Sequence, residues 1–206
     1  PDETTRLILD HFCLALQEFL AGTEYVVDSV SRDGAHKTTC VWAYDKRACN
    51  GGDFVYFAKI LLATKSADGV CSARDAATAR KAEALVAYAH RVLDAVGVAH
   101  GPSHMEVMWL DAEDAPCLVE VGCRPHGGEG TFHDLVEAPI GYSKLSVMLD
   151  AIEKPYRFHR LPARPERFSA GAMEVRARPR ARAIAPVCAR GEEAHERGAS
   201  WPPPLS

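Results

Sequence analysis

The chain has seven cysteines but no Cys-x-x-Cys pair, so the ligand spacing of a zinc ribbon is absent. Cys13, Cys40, Cys49, Cys71, Cys117, Cys123 and Cys188 are odd in number and irregular in spacing. Several lie in apolar strand-like runs, where cysteine behaves as a small hydrophobe. Such usage points to a reducing compartment, most simply the cytoplasm. No apolar run is long enough to span a bilayer. Positive charge is not in excess: 24 Lys and Arg face 28 Asp and Glu, a net charge of −4. With a pI near 6.2, this argues against a nucleic-acid or membrane-surface partner. There is no His-Glu-x-x-His, no Gly-x-Ser-x-Gly elbow and no Gly-x-x-x-x-Gly-Lys-Ser/Thr loop. A His/Glu metal hydrolase, a serine hydrolase of the elbow type and a P-loop nucleotide site are thereby excluded. The start, Pro1 to Arg6, is polar and acidic, unlike a signal peptide. Pro1 stands where an initiator Met would, which reads as a fragment or a processed product.

With 206 residues and 47% hydrophobic content, the chain can bury a sizeable core, as one large domain or two small ones. Leu7 to Leu20 is ambiguous between helix and strand, becoming extended before Ala21-Gly22. Glu24 to Ser31 reads as a strand, Arg32-Asp33-Gly34 as a hairpin turn and Lys37 to Tyr44 as the returning strand. Asp45 to Asp53 reads as a loop around Asn50-Gly51-Gly52, and Phe54 to Thr64 as extended. Ala73 to Val96 is the strongest helix, with Leu85, Tyr88, Ala89, Val92 and Val96 on one face and Gly97 at its end. His104 to Leu110 and Pro116 to Val121 make a second hairpin around Asp111 to Asp114. Glu137 to Tyr142 leads into a helix over Tyr142 to Ile152, and Ser169 to Arg176 has the pattern of one more strand. From Arg178 the chain is dense in Arg, Ala, Pro and Glu, a composition expected to be disordered.

Two acids stand out. Glu106, in Ser103-His104-Met105-Glu106-Val107-Met108, and Glu120, in Leu118-Val119-Glu120-Val121-Gly122, each sit within an apolar run. A bare charge there is costly without compensation. Alternation puts both on one strand face, opposite their apolar neighbours. Arg124 follows Glu120 by four residues and precedes Pro125-His126-Gly127-Gly128. Two acids with an arginine beside them suit Mg²⁺ carrying a polyphosphate, the guanidinium gripping a further oxygen. The bland alternative is a pair of surface acids on a hairpin, followed by an ordinary Pro-Gly turn.

The order strand, hairpin, long helix, acidic hairpin and Gly-rich turn resembles the C-terminal part of an ATP-grasp domain, over roughly Gln17 to Ile152. The stretch Gln17-Glu18-Phe19-Leu20-Ala21-Gly22-Thr23-Glu24 is similar to the family's hinge strand. The resemblance implies that Gln17, Glu18, Phe19 and Leu20 line the adenine pocket and that Glu24 contacts the ribose; the alternative is an edge strand with solvent-facing acids. It implies that Glu106 and Glu120 hold Mg²⁺ (or Mn²⁺) bridging the phosphates of ATP. Arg124 would stabilise charge on the transferred phosphoryl group and on an acyl-phosphate. Gly127 and Gly128 would bring backbone N–H groups to the substrate, with His126 at its mouth. Lys46 matches a loop cation near the γ-phosphate, or is simply solvated. His104, two residues before Glu106, would contact substrate or intermediate, or be a neutral structural histidine. One position departs from the family: Gly122 stands where many members have an Asn ligand, so water would supply that oxygen.

The resemblance therefore implies an α+β, partial ATP-grasp fold of antiparallel sheets with packed helices around a nucleotide cleft. Residues 1–14 would be the remnant of a preceding subdomain and 15–155 the ATP-grasp part. Residues 156–177 would be an extension and 178–206 a disordered tail. The implied activity is an ATP-dependent carboxylate–amine ligase of the amino-acid ligase branch, working through an acyl-phosphate. Its partners would be a small-molecule carboxylate and an amine, with amino acids the favoured class. The subdomain with phosphate-binding lysines and a Gly-rich lid is not visible before Gln17. Two other readings stay open: a non-catalytic nucleotide-binding remnant, and a carboxylase or purine-pathway type of ligase.

Overall fold

In the computed structural model the described residues are 17–49, 51–62, 73–126, 132–165 and 171–174. Six strands form one antiparallel sheet in the order β5-β4-β1-β2-β3-β6. The strands are β1 (Thr23–Arg32), β2 (Ala35–Cys49), β3 (Gly52–Leu61), β4 (Gly101–Leu110), β5 (Ala115–Gly122) and β6 (Gly171–Glu174). The helices are α1 (Ala73–Ala95), α2 (Phe132–Ile140), α3 (Lys144–Glu153) and α4 (Pro155–Arg160). This is the α+β architecture expected.

Period-2 alternation assigns the two faces of the sheet. Tyr25 and Val27 of β1, Val41 of β2 and Met105, Val107 and Trp109 of β4 pack against Leu85, Val86, Ala89 and Leu93 of α1. The intervening residues face the other way, under α2, α3 and α4. There Val26, Trp42, Tyr44 and Leu61 meet Phe132 and Val136, while Val30 meets Val147, Ala151 and Phe158. The β1–β2 turn has φ of 51° at Asp33 and 76° at Gly34. Two left-handed residues match the twist of a tight hairpin. Gly97, at φ 75°, follows the end of α1, where a left-handed residue costs glycine little.

Three local expectations need correction. Asp45 to Asp53 is not a loop: β2 runs on to Cys49 and β3 starts at Gly52. Register shifts at Asp45/Lys46 and Arg47/Cys49 absorb the irregular, polar sequence without ending the pairing. Glu137 to Ile140 is not a lead-in but the end of α2, and the following helix begins later, at Lys144. Ser143 caps it: its Oγ accepts from the backbone N of Ser146, and the Ser146 hydroxyl accepts from the backbone N of Ser143. Residues 155–165 lie on the same sheet: Phe158 is fully buried against Val30, and Thr38 N donates to Ala163 O at 2.8 Å. The strand expected over Ser169 to Arg176 is β6, at the sheet edge. The tail from Arg178 lies outside the described residues. No described helix is long and apolar enough to cross a membrane.

Candidate functional site

The residues before β1 end in a close contact. A Cβ at Gly22 would lie 2.1 Å from the Trp109 carbonyl oxygen, so only glycine lets the chain enter β1 this near to β4. The preceding residues thereby form one wall of a hollow. Gln17, Glu18, Phe19, Leu20, Glu24 and Lys46 all line a cavity of about 400 Å³, with Met108, Cys117, Leu118 and Val119 as its other walls. Gln17 Nε2 donates to Val119 O at 3.3 Å. A second cavity of about 380 Å³ shares Phe19, Leu20, Glu24, Lys46 and Met108.

Lys46 is not on a loop. It projects from β2, and its Nζ pairs with Glu24 Oε2 at 2.5 Å and lies 4.6 Å from the Tyr56 ring centroid. Burial disfavours its charge, but the bond to Glu24 outweighs that and holds its pKa above the usual lysine value. The other carboxylate oxygen, Glu24 Oε1, is buried with no partner among the described residues. Glu24 lines both cavities, so this buried acceptor lies beside open space.

Glu106 and Glu120 are direct cross-strand partners. Each neighbours the hollow through its own strand, at Met108 and Val119. Like charges directly opposite each other are unfavourable unless a cation sits between or beside them. Glu106 is half-buried, while Glu120 is exposed and has Arg124 Nη2 at 3.8 Å from its Oε1. The Gly122 departure has a steric counterpart: a Cβ there would stand 3.3 Å from Arg124 Nε, so the glycine gives the guanidinium stem its room. An all-oxygen pair with this charge is the donor set that suits Mg²⁺.

Beneath the acids lies a network with Asp28 at its centre. The Asp28 side chain is 2% exposed. Its Oδ1 accepts from Lys144 Nζ and from His104 Nδ1 at 2.9 Å. Its Oδ2 accepts from His126 Nδ1 at 2.8 Å, Trp42 Nε1 at 3.3 Å and Cys40 Sγ at 3.4 Å. Burial alone would raise the Asp28 pKa, but Lys144 and both histidines outweigh it and hold the carboxyl well below its usual range. Lys144 opens α3, where a cation is unfavourable against the helix dipole; Asp28 and the Ser103 carbonyl, at 2.9 Å, offset that.

His104 is buried, and its Nε2 lies 3.6 Å from Glu106 Oε1. Burial disfavours the imidazolium, yet the bond to Asp28 and the nearby Glu106 carboxylate raise its pKa overall. In turn His104 lowers the Glu106 pKa. The ring is therefore placed to orient and ionise Glu106; both nitrogens already face carboxylates. His126 is also buried rather than at an open mouth. Its burial lowers its pKa despite Asp28, and its Nε2 faces Lys59 Nζ at 3.3 Å. Gly127 and Gly128 lie outside the described residues.

Asp28, Lys144 and Lys59 were missed by sequence reasoning. Asp28 carried a signal, an acid inside Tyr25-Val26-Val27-Asp28, but Lys144 is more than a hundred residues away and no local pattern pairs the two. Asp28, His104 and His126 could together offer three ligand atoms to a metal. The Lys144 ammonium already on Asp28 argues against a cation there.

No family model matches the chain. It is 29% identical over 153 residues to dapdiamide A synthase of Enterobacter agglomerans, covering 74% of this chain and 32% of that protein. It thus spans about a third of the length of that curated relative. Phosphoribosylglycinamide synthetase from Anaerococcus prevotii superposes with a TM-score of 0.50 at 13% identity, over 83% of this chain and 41% of that one. An L-amino acid ligase from Bacillus licheniformis gives 0.48 at 24% identity, over 66% and 30%.

Proposed function

Because this chain carries part of an ATP-grasp fold, we propose that it is the nucleotide- and metal-holding part of an ATP-dependent carboxylate–amine ligase. One observation carries the reading. The six residues expected around the nucleotide line a single hollow, beside a cross-strand acid pair with an arginine. Gln17 to Leu20 would border the adenine, and Glu24 Oε1 would take a ribose hydroxyl. Glu106 and Glu120 would hold Mg²⁺ or Mn²⁺, which would neutralise the acids and offset the negative charge of the phosphates. His104 keeps Glu106 ionised and oriented. Lys46, now paired with Glu24, lies within reach of a phosphate entering the same hollow.

In this reading a substrate carboxylate takes the terminal phosphoryl group of ATP, releasing ADP, to give an acyl-phosphate; an amine then attacks its carbonyl carbon, and inorganic phosphate leaves with loss of the amine proton to form an amide. Arg124 offsets the negative charge that develops in both steps, and excluding water strengthens its effect. His126, Gly127 and Gly128 would border the substrate. Amino acids are the favoured substrate class, and the cytoplasm the compartment.

The test is a calorimetric titration of Mg-ADP into the chain and into Glu120→Ala, with and without Mg²⁺. Magnesium-dependent binding that is lost in the variant is the expected result. If a cooperatively folded chain shows no binding, the ligase reading of this chain fails, and a non-catalytic remnant accounts for it better.

A further inference from the structure

Cys117 and Glu120 are three residues apart on β5, and a regular strand would point them to opposite faces. A register shift prevents this. Glu120 pairs with Glu106, Leu118 with Val107 and Cys117 with Met108, so Val119 is an extra residue in β5. Leu118 and Val121 pack with the core under α1, as Val107 does. Cys117 and Glu120 therefore share the cleft face with Met108 and Glu106. Both sides of the bulge are tied: Val119 O accepts from Gln17 Nε2, and Leu118 N donates to the Tyr88 hydroxyl at 2.9 Å.

The bulge thus puts a thiol in the wall of the hollow. Met108, opposite it, is two residues from Glu106, roughly 7 Å along the strand. The described cysteines are free, and they differ in setting. Cys40 is buried and bonded to Asp28, as a packed structural cysteine is, and Cys123 is exposed past the end of β5. Cys117 is half-buried beside open space. Its Sγ lies 4.0 Å from the Leu118 carbonyl oxygen, too far to tie the thiol down. A second feature of the same hollow points to a ligand. Glu24 also lines it, its side chain is only 10% exposed, and its Oε1 is buried with no hydrogen-bond partner among the described residues.

We propose that Cys117 is a thiol-modification site opening into the hollow, and that a mixed disulfide formed there excludes the nucleotide. This rests on the ligase reading above. The reagent class is a small disulfide. The Cys117 thiolate attacks one of its sulfurs, the old S–S bond breaks as the new one forms, and the other half leaves as a thiolate that takes up the proton Cys117 gave up. Cys117 is oxidised and the leaving half is reduced. A cavity of about 400 Å³ holds one small-molecule ligand. A tripeptide thiol anchored on its wall and a nucleotide therefore compete for the same space. A reducing thiol runs the exchange backwards and reopens the site.

The test first titrates the untreated 206-residue chain with Mg-ADP, then treats it with glutathione disulfide at about pH 8 and follows Cys117 by peptide mass mapping. Cys117 is expected to become thiolated. Mg-ADP at about ten times its Kd should slow that step about tenfold, because only about a tenth of the chains are then empty. The thiolated chain should keep a cooperative melt and lose Mg-ADP affinity by at least about tenfold, with recovery in dithiothreitol. Cys117→Ser, compared with its own untreated affinity, should lose none on the same treatment. The inference is overturned if Cys117 stays unmodified, if bound Mg-ADP leaves its rate unchanged, or if treated Cys117→Ser loses affinity as the wild type does. It also fails if the thiolated chain loses its cooperative melt, since unfolding would then explain the lost binding. Each of these leaves Mg-ADP binding by the untreated chain, and the ligase reading with it, standing. A folded, untreated chain that binds no Mg-ADP sinks the ligase reading and this block together.

Discussion

Asp28→Asn removes a negative charge shared by a buried lysine and two buried histidines. The Lys144 side chain is 3% exposed and that of His104 4%, so neither recovers its hydration when the charge goes. An amide also turns one acceptor oxygen into a donor facing donors. Leaving one member of a buried ion pair alone costs about 3–5 kcal/mol. Against a total stability of roughly 5–15 kcal/mol, that is a large share. At about 2–4 °C per kcal/mol it lowers the melting temperature by roughly 6–20 °C. The assay is urea unfolding followed by circular dichroism at pH 7, on the wild type, Asp28→Asn, Lys144→Met and the double variant. The double variant removes the stranded ammonium and should recover at least about 1 kcal/mol relative to the sum of the singles. The pH dependence has two limbs. The depressed Asp28 carboxyl contributes stability present above its unfolded pKa near 3.9 and lost as pH falls through its folded value. The raised His104 contributes stability fully present below about 6.5 and lost as pH rises through its folded value. Both limbs should flatten in Asp28→Asn. A loss under about 1 kcal/mol, or strictly additive singles, would refute the view that Asp28 holds this network together.

Three further outcomes follow from local geometry. Gly22→Ala drives a Cβ into the Trp109 carbonyl and should cost about 1–3 kcal/mol in urea unfolding while weakening Mg-ADP binding, because the hinge wall must move. Phe158→Ala empties a fully buried site between α3, α4 and β1 and should cost about 3–5 kcal/mol within a single unfolding transition. Two separate transitions would show that residues 155–165 fold apart from the sheet. His90 is held neutral by burial and by the nearby His36, its pKa pushed down to about 4. The wild type should therefore lose stability as pH falls from about 6.5 toward 4, where the unfolded chain takes up a proton and the folded one does not. His90→Leu should remove that part of the slope.

Much of the fold was legible because it rests on short-range pattern. The Arg32-Asp33-Gly34 turn, the alternation around Glu106 and the apolar stripe of α1 each state their structure within a few residues. β2 beyond Tyr44 was not legible. Asp45-Lys46-Arg47 looks like a loop, and it is strand only because β3 lies alongside to take its hydrogen bonds and Glu24 takes the Lys46 charge. α2 was hidden by Pro139, which sits in its last turn, and by its shortness; packing of Phe132 and Val136 on Trp42 holds it.

The sequence by itself determined the hairpins, the long helix and the acid pair with its arginine, since each is written in period, turn chemistry or spacing, while the α+β class followed from the resemblance those elements carry. Only the tertiary structure decided what those charges face. Asp28 meets Lys144 across 116 positions, and Lys59 meets His126 across 67. Burial sets the direction of their pKa shifts, and burial depends on which strands and helices stack. A linear pattern can mark a residue as costly to bury. It cannot say which distant partner offsets that cost.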